Sequence, residues 1–212
     1  MERRFINQKN SMIILEKRED GSDGKITGYG AVYYRKGDSS TEYKLWDGMV
    51  ERIMPGAFNR ALAESDDVRA LFNHDPSLIL GRNTAGTMKL SSDDVGLRYE
   101  IDPADTNVSK DTREHISRGD VTGSSFMFIV EHEEWRTEGD LEIREVLGVK
   151  LLDIGPVTFP AYASATASVR SEDTKEAREQ YKAIVESRNK EALKLGNGDR
   201  LRRARLVELD LA

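Results

Sequence analysis

The sequence predicts an α+β fold, most simply a closed β-barrel with a few helices packed outside it and a helical tail behind. Three observations carry that expectation. Short runs of β-type residues recur between turn signals from residue 12 to residue 159. Helical periodicity interrupts them at only two places. The composition changes near Val169, where 22 basic and 29 acidic residues over 1–170 give way to 10 and 9 over 171–212. Two regions follow: a folded domain over 1–170 and a charged helical tail over 171–212.

The expected strands are residues 12–15, 26–34, 49–53, 68–73, 86–90, 95–101, 124–134, 141–149 and 150–159. The first helix lies in Pro55-Gly-Ala-Phe-Asn-Arg-Ala-Leu-Ala, where Phe58 and Leu62 share a face and Pro55 suits a first turn. The second covers 106–118, capped by Thr106 or Asn107 and stopped by Gly119. In the tail, Ala177, Tyr181, Ile184 and Val185 make a narrow apolar stripe, broken at Gly196-Asn197-Gly198-Asp199. The cluster Arg200-Leu-Arg-Arg-Ala-Arg205 then reads either as a solvated helix face or as a docking or cleavable segment.

Composition narrows the function. The 212 residues suffice to bury a core without covalent staples. There is no cysteine, which excludes disulfides, thiolate metal sites and cysteine nucleophiles. The three histidines, His74, His115 and His132, stand at unrelated spacings, so neither a metal nor another cofactor is expected. A formal charge of −6 leaves no broad basic field for nucleic acid. No apolar run approaches the roughly 18 residues of a membrane span. The first ten residues lack the apolar stretch of a secretion signal, so an intracellular protein is expected.

Three segments hold residues suited to chemistry. In Val68-Arg-Ala-Leu-Phe-Asn-His74-Asp, strand alternation puts Val68, Ala70, Phe72 and His74 on one face. His74 then ends a strand before the Asp75-Pro76 turn, as a structural histidine or as one facing a cleft. In Gly123-Ser-Ser-Phe-Met-Phe, Ser124 and Ser125 open a very apolar strand, where a hydroxyl is either a turn cap or a nucleophile. In Leu151-Leu-Asp153-Ile, a carboxylate interrupts an apolar run. That is costly unless it accepts hydrogen bonds or faces a charge, for instance a histidine, or reaches solvent at a strand edge. His115, in a charged helix, and His132, where the strand turns charged, read as solvated residues.

Taken in order, these segments match a known pattern. Glu51-Arg-Ile-Met-Pro-Gly-Ala-Phe58 is followed by Ala70-Leu-Phe-Asn-His-Asp75, Leu80-Gly81 and Gly96-Leu97. Then come Ile116 through Gly123-Ser-Ser-Phe126 and Leu152-Asp-Ile-Gly-Pro-Val-Thr-Phe-Pro-Ala-Tyr162. Over roughly residues 10–170 the chain resembles the prohead (capsid maturation) proteases of tailed bacteriophages, a family related in fold to the herpesvirus protease assemblin. The resemblance implies an assemblin-like barrel and a serine peptidase that needs no cofactor. It implies His74 as base, Ser125 as nucleophile with Ser124 as the fallback, and Asp153 as third member. The chain departs from the family at Ser125-Phe-Met-Phe128, where Ser-Phe-Gly-Phe is common, and at Asp153-Ile-Gly155, where Glu-Val-Ser is common. Oxyanion donors are expected from backbone amides after Phe159, by analogy with assemblin.

The implied substrates are the scaffold, the scaffolding segment of the major capsid protein, and the protease itself. The implied place is the assembling procapsid in the host cytoplasm. Self-association as a dimer is implied too, with nucleic acid and membrane absent from the partners. The alternative is a non-enzymatic capsid-assembly or scaffolding factor on the same barrel, since a fold does not fix a function.

Overall fold

The computed structural model describes residues 1–6, 8–17 and 23–159. The predicted tail over 171–212 lies outside the described residues. In chain order the elements are β1 (Glu2–Ile6), α1 (Gln8–Ser11), β2 (Ile14–Lys17), β3 (Asp23–Val32), a 3-10 turn (Ser39–Thr41), β4 (Tyr43–Trp46) and β5 (Met49–Ile53). They continue with α2 (Asn59–Ala63), β6 (Arg69–Leu71), β7 (Ile79–Arg82), β8 (Met88–Ser92), β9 (Gly96–Ile101), α3 (Asn107–Arg118), β10 (Gly123–Glu138) and β11 (Leu141–Val157). The chain is mostly β with a few short helices, as expected. Among the described residues no helix is long and apolar enough to cross a membrane.

The strands form two sheets, which corrects the expected closed barrel. One runs β1-β10-β11-β5-β4, with β6 pairing to β11 and β7 to β6; the other runs β2-β3-β9-β8. One backbone bond, from Tyr34 N–H to the Ile53 carbonyl at 2.8 Å, links the chain beyond β3 to β5. The sheets nonetheless remain separate ladders and share one core between their faces. Gly30 on β3 lies so close to β11 that a Cβ there would stand 2.0 Å from Ile154 Cδ1. Leu97, Tyr99 and Ile101 of β9 join Phe126 and Phe128 of β10 and Ile154 of β11 in one buried core. Phe126 stacks on Phe128 with centroids 4.8 Å apart and meets Phe58 edge to face at 5.7 Å, geometries favoured by the ring quadrupole.

The expected break between 149 and 150 is absent. Leu141–Val157 is one strand, paired with β10 along its whole length. The ladder accommodates its length by register shifts between Met127 and Phe128 and around His132. Such bulges bend a strand and raise its twist without ending it. The helix at α3 follows its sequence signals. The Thr106 hydroxyl accepts from Ser109 N–H at 3.3 Å, and Gly119 stops the helix at φ +80°. The helix expected from Pro55 begins only at Asn59, after a turn.

Candidate active site

His74 is not the end of a strand, contrary to the period-two reading. The strand β6 stops at Leu71, and residues 72–74 form a turn. Asn73 and His74 both take left-handed backbone, with φ of +56° and +59°. Two successive non-glycine residues in that region cost energy and persist only where their surroundings hold them. Here β11 and the residue beyond it do so. Asn73 N–H donates to the Pro156 carbonyl at 3.0 Å. The Asn73 side-chain amide donates to Thr158 Oγ1 at 2.9 Å, and its oxygen accepts from Thr158 N–H at 2.8 Å. On the far side, the Asp75 carboxylate accepts from Ser77 N–H and Oγ–H, bonds that hold its carboxyl below the usual range. The turn is thereby fastened at both ends.

The other two residues sit on adjacent strands. Ser125 of β10 pairs with Gly155 of β11, and Asp153 of β11 pairs with Met127 of β10. Strand β6 runs parallel beside them, with Asp153 opposite Arg69 and Ile154 opposite Ala70. Gly155 permits that approach. A Cβ there would lie 2.2 Å from the Leu71 carbonyl oxygen, a backbone atom, so only glycine fits at this strand spacing. The departure from serine at position 155 thus goes with close packing of the strand that leads to His74.

The structure brings His74, Ser125 and Asp153 into contact. His74 Nδ1 shares a hydrogen bond with Asp153 Oδ1. His74 Nε2 lies 2.5 Å from Ser125 Oγ. Ser125 Oγ is also 3.0 Å from the Arg4 carbonyl oxygen of β1. All three side chains are buried, Ser125 completely. With the imidazole between an acceptor-only carboxylate and a hydroxyl, the proton belongs on Nδ1 and the free lone pair on Nε2. That arrangement can take a proton from a serine hydroxyl.

The remaining candidates lie elsewhere. The fallback, Ser124, points to Tyr99, its Oγ 2.8 Å from the phenol oxygen. Burial pushes the Tyr99 phenol up, and the bond to Ser124 offsets only part of this. His115 is exposed on α3, 3.6 Å from Asp120, and His132 is exposed on β10. The backbone amides expected beyond Phe159 as oxyanion donors lie outside the described residues. Among the described residues no group of three or more His, Asp or Glu is placed to hold a metal. Two features had no sequence signal: the Asn73–Thr158 clasp, both of whose residues sit inside motifs already quoted, and strand β1 pairing with β10 beside Ser125.

No curated protein and no solved structure gives a significant match to the chain. The sequence model of one family, described as caudovirus prohead serine protease, matches residues 12–180. That span includes every strand except β1, and both strands and the turn that carry the buried serine, histidine and aspartate. The chain therefore belongs to the caudovirus prohead serine protease family.

Proposed function

We propose that this chain is a serine endopeptidase that cuts the scaffold, or the scaffolding segment of the major capsid protein, and itself. It does so inside the assembling procapsid in the host cytoplasm, with Ser125, His74 and Asp153 as the catalytic residues. The observation that carries the reading is the unbroken line of contacts from Asp153 through His74 to Ser125. These residues come from three separate segments and meet with all three side chains buried.

The chemistry follows from the geometry. Ser125 Oγ attacks the peptide carbonyl carbon while His74 Nε2 takes the hydroxyl proton. The Asp153 carboxylate keeps the ring in the required tautomer and stabilises the imidazolium, without itself being protonated. The imidazolium then gives its proton to the leaving amine as the carbon–nitrogen bond breaks. A water molecule, deprotonated by the same imidazole, releases the acyl group from Ser125. No cofactor enters these steps. Confinement in a procapsid raises the effective concentration of substrate, so modest affinity suffices. Self-association, as in assemblin, belongs to the same reading.

The test is co-expression with the capsid protein, followed by intact-mass analysis of both chains. Wild type is expected to give capsid protein shortened by one defined segment, and Ser125→Ala full-length capsid protein. Identical masses with both chains would leave the assembly-factor alternative in its place.

A further inference from the structure

Strand β1 lies alongside the strand that carries Ser125. It runs antiparallel along β10, with Phe5 opposite Ser125, Arg4 opposite Phe126 and Glu2 opposite Phe128. Its Arg4 carbonyl accepts from the Ser125 hydroxyl at 3.0 Å. A hydroxyl has one hydrogen, and here the His74 imidazole and the Arg4 carbonyl compete for it. The strand also occupies the edge of its sheet, the position at which an extended peptide is added by main-chain hydrogen bonds. The family match begins at residue 12, so β1 lies outside the matched span.

Side chains hold this strand in a specific way. Arg4 grips the fully buried Glu51 carboxylate of β5 with both Nε at 2.5 Å and Nη2 at 2.8 Å. Arg144 of β11 reaches the same carboxylate at 2.9 Å and also binds Glu2 at 2.6 and 2.8 Å. Glu133 of β10 fixes Arg144 in turn, at 2.8 Å. A buried carboxylate of this kind requires cationic partners, and losing one leaves an uncompensated charge. Without Arg4, Glu51 keeps Arg144 but loses its bidentate partner.

We infer that β1 is an internal stand-in for substrate: it withholds Ser125 until it is displaced, and a substrate strand docks on the same edge of β10 with a basic side chain on Glu51. The inference rests on the protease reading and adds to it both a specificity residue, Glu51, and a built-in block. Because the carbonyl that engages Ser125 belongs to Arg4 itself, the same strand that supplies the basic side chain places a peptide carbonyl at the nucleophile. Release of β1 both opens the strand edge and leaves the hydroxyl hydrogen to point at His74 Nε2 alone.

The absence of cysteine allows a clean test on the full chain. Arg3 and Met127 are cross-strand partners, and Arg3→Cys with Met127→Cys creates a single disulfide that pins β1 to β10. Reaction of Ser125 with a fluorophosphonate, read by mass, is expected to be at least about tenfold slower in the oxidised than in the reduced protein, because accessible population sets the rate. A second variant, Arg4→Glu, places like charges together and is expected to react faster than wild type, which keeps the question open to refutation if the pinned chain fails to fold. Once β1 is released, peptides carrying Arg at the position of Arg4 are expected to be cut faster than the same peptides carrying Glu. Equal reaction in the oxidised and reduced forms, or no gain with Arg4→Glu, overturns the block while leaving the protease reading intact. Equal cleavage of the two peptides overturns the role of Glu51. Failure of Ser125 to react in every form removes the protease reading and this inference together.

Discussion

Ser125→Ala, His74→Ala and the double variant are expected to fall to one common floor of activity, about 10⁶-fold below wild type, rather than to sum their losses. The reason is that neither group works alone. The hydroxyl is a weak nucleophile without the imidazole 2.5 Å away, and the imidazole has no other proton to move. Turnover of a capsid-derived peptide by the three variants measures this directly. Ser124→Ala is the control. Its hydroxyl bonds to Tyr99 on the other sheet, so the variant is expected to lose about 1 kcal/mol of stability and keep its activity. Losses that add between Ser125→Ala and His74→Ala would mean that the two residues act independently.

The second large effect is expected at Asp153. Asp153→Asn keeps the shape of the side chain but offers an N–H to His74 Nδ1 where a carboxylate oxygen now accepts. The ring then carries its proton on Nε2, facing Ser125, and cannot act as base. Turnover is expected to drop about 10⁴-fold, with substrate affinity little changed. The loss is expected to shrink as alkali supplies hydroxide in place of the missing base. A variant that kept full activity at neutral pH would show that Asp153 is a structural carboxylate. Its burial makes the alternative Asp153→Ala less informative, because a cavity and a freed imidazole would be mixed in one result.

Local signals fared well where local physics decides. Thr106 and Gly119 bracket α3 because a cap and a left-handed stop act within a few residues. The continuous apolar run from Phe126 reads as a strand, and both faces of the strand's first half are buried. His74, Ser125 and Asp153 were each legible as residue types out of place, yet the contacts among them depend on pairings such as Asp153 with Arg69, across more than eighty positions of chain. No periodicity carries that information.

The failures have the same origin. Period two carried His74 to the end of β6, but the strand stops three residues earlier and the histidine is aimed by a left-handed turn clasped to Thr158. The barrel failed because no strand ladder joins the two sheets among the described residues, and which strands pair has no signature in either strand alone. Strand β1 was missed because Glu2, Arg3 and Arg4 look like solvated charge, whereas Arg4 is bound to a carboxylate with no exposed surface. A buried ion pair becomes visible only when both partners are located.

The most direct measurement of the central claim is a phosphonate adduct mapped by peptide mass in wild type and His74→Ala. A single adduct on Ser125 that forms in wild type and is slowed by orders of magnitude in His74→Ala is the result expected of an imidazole-activated serine. An adduct on another serine, or one that forms on Ser125 equally fast without His74, would contradict it.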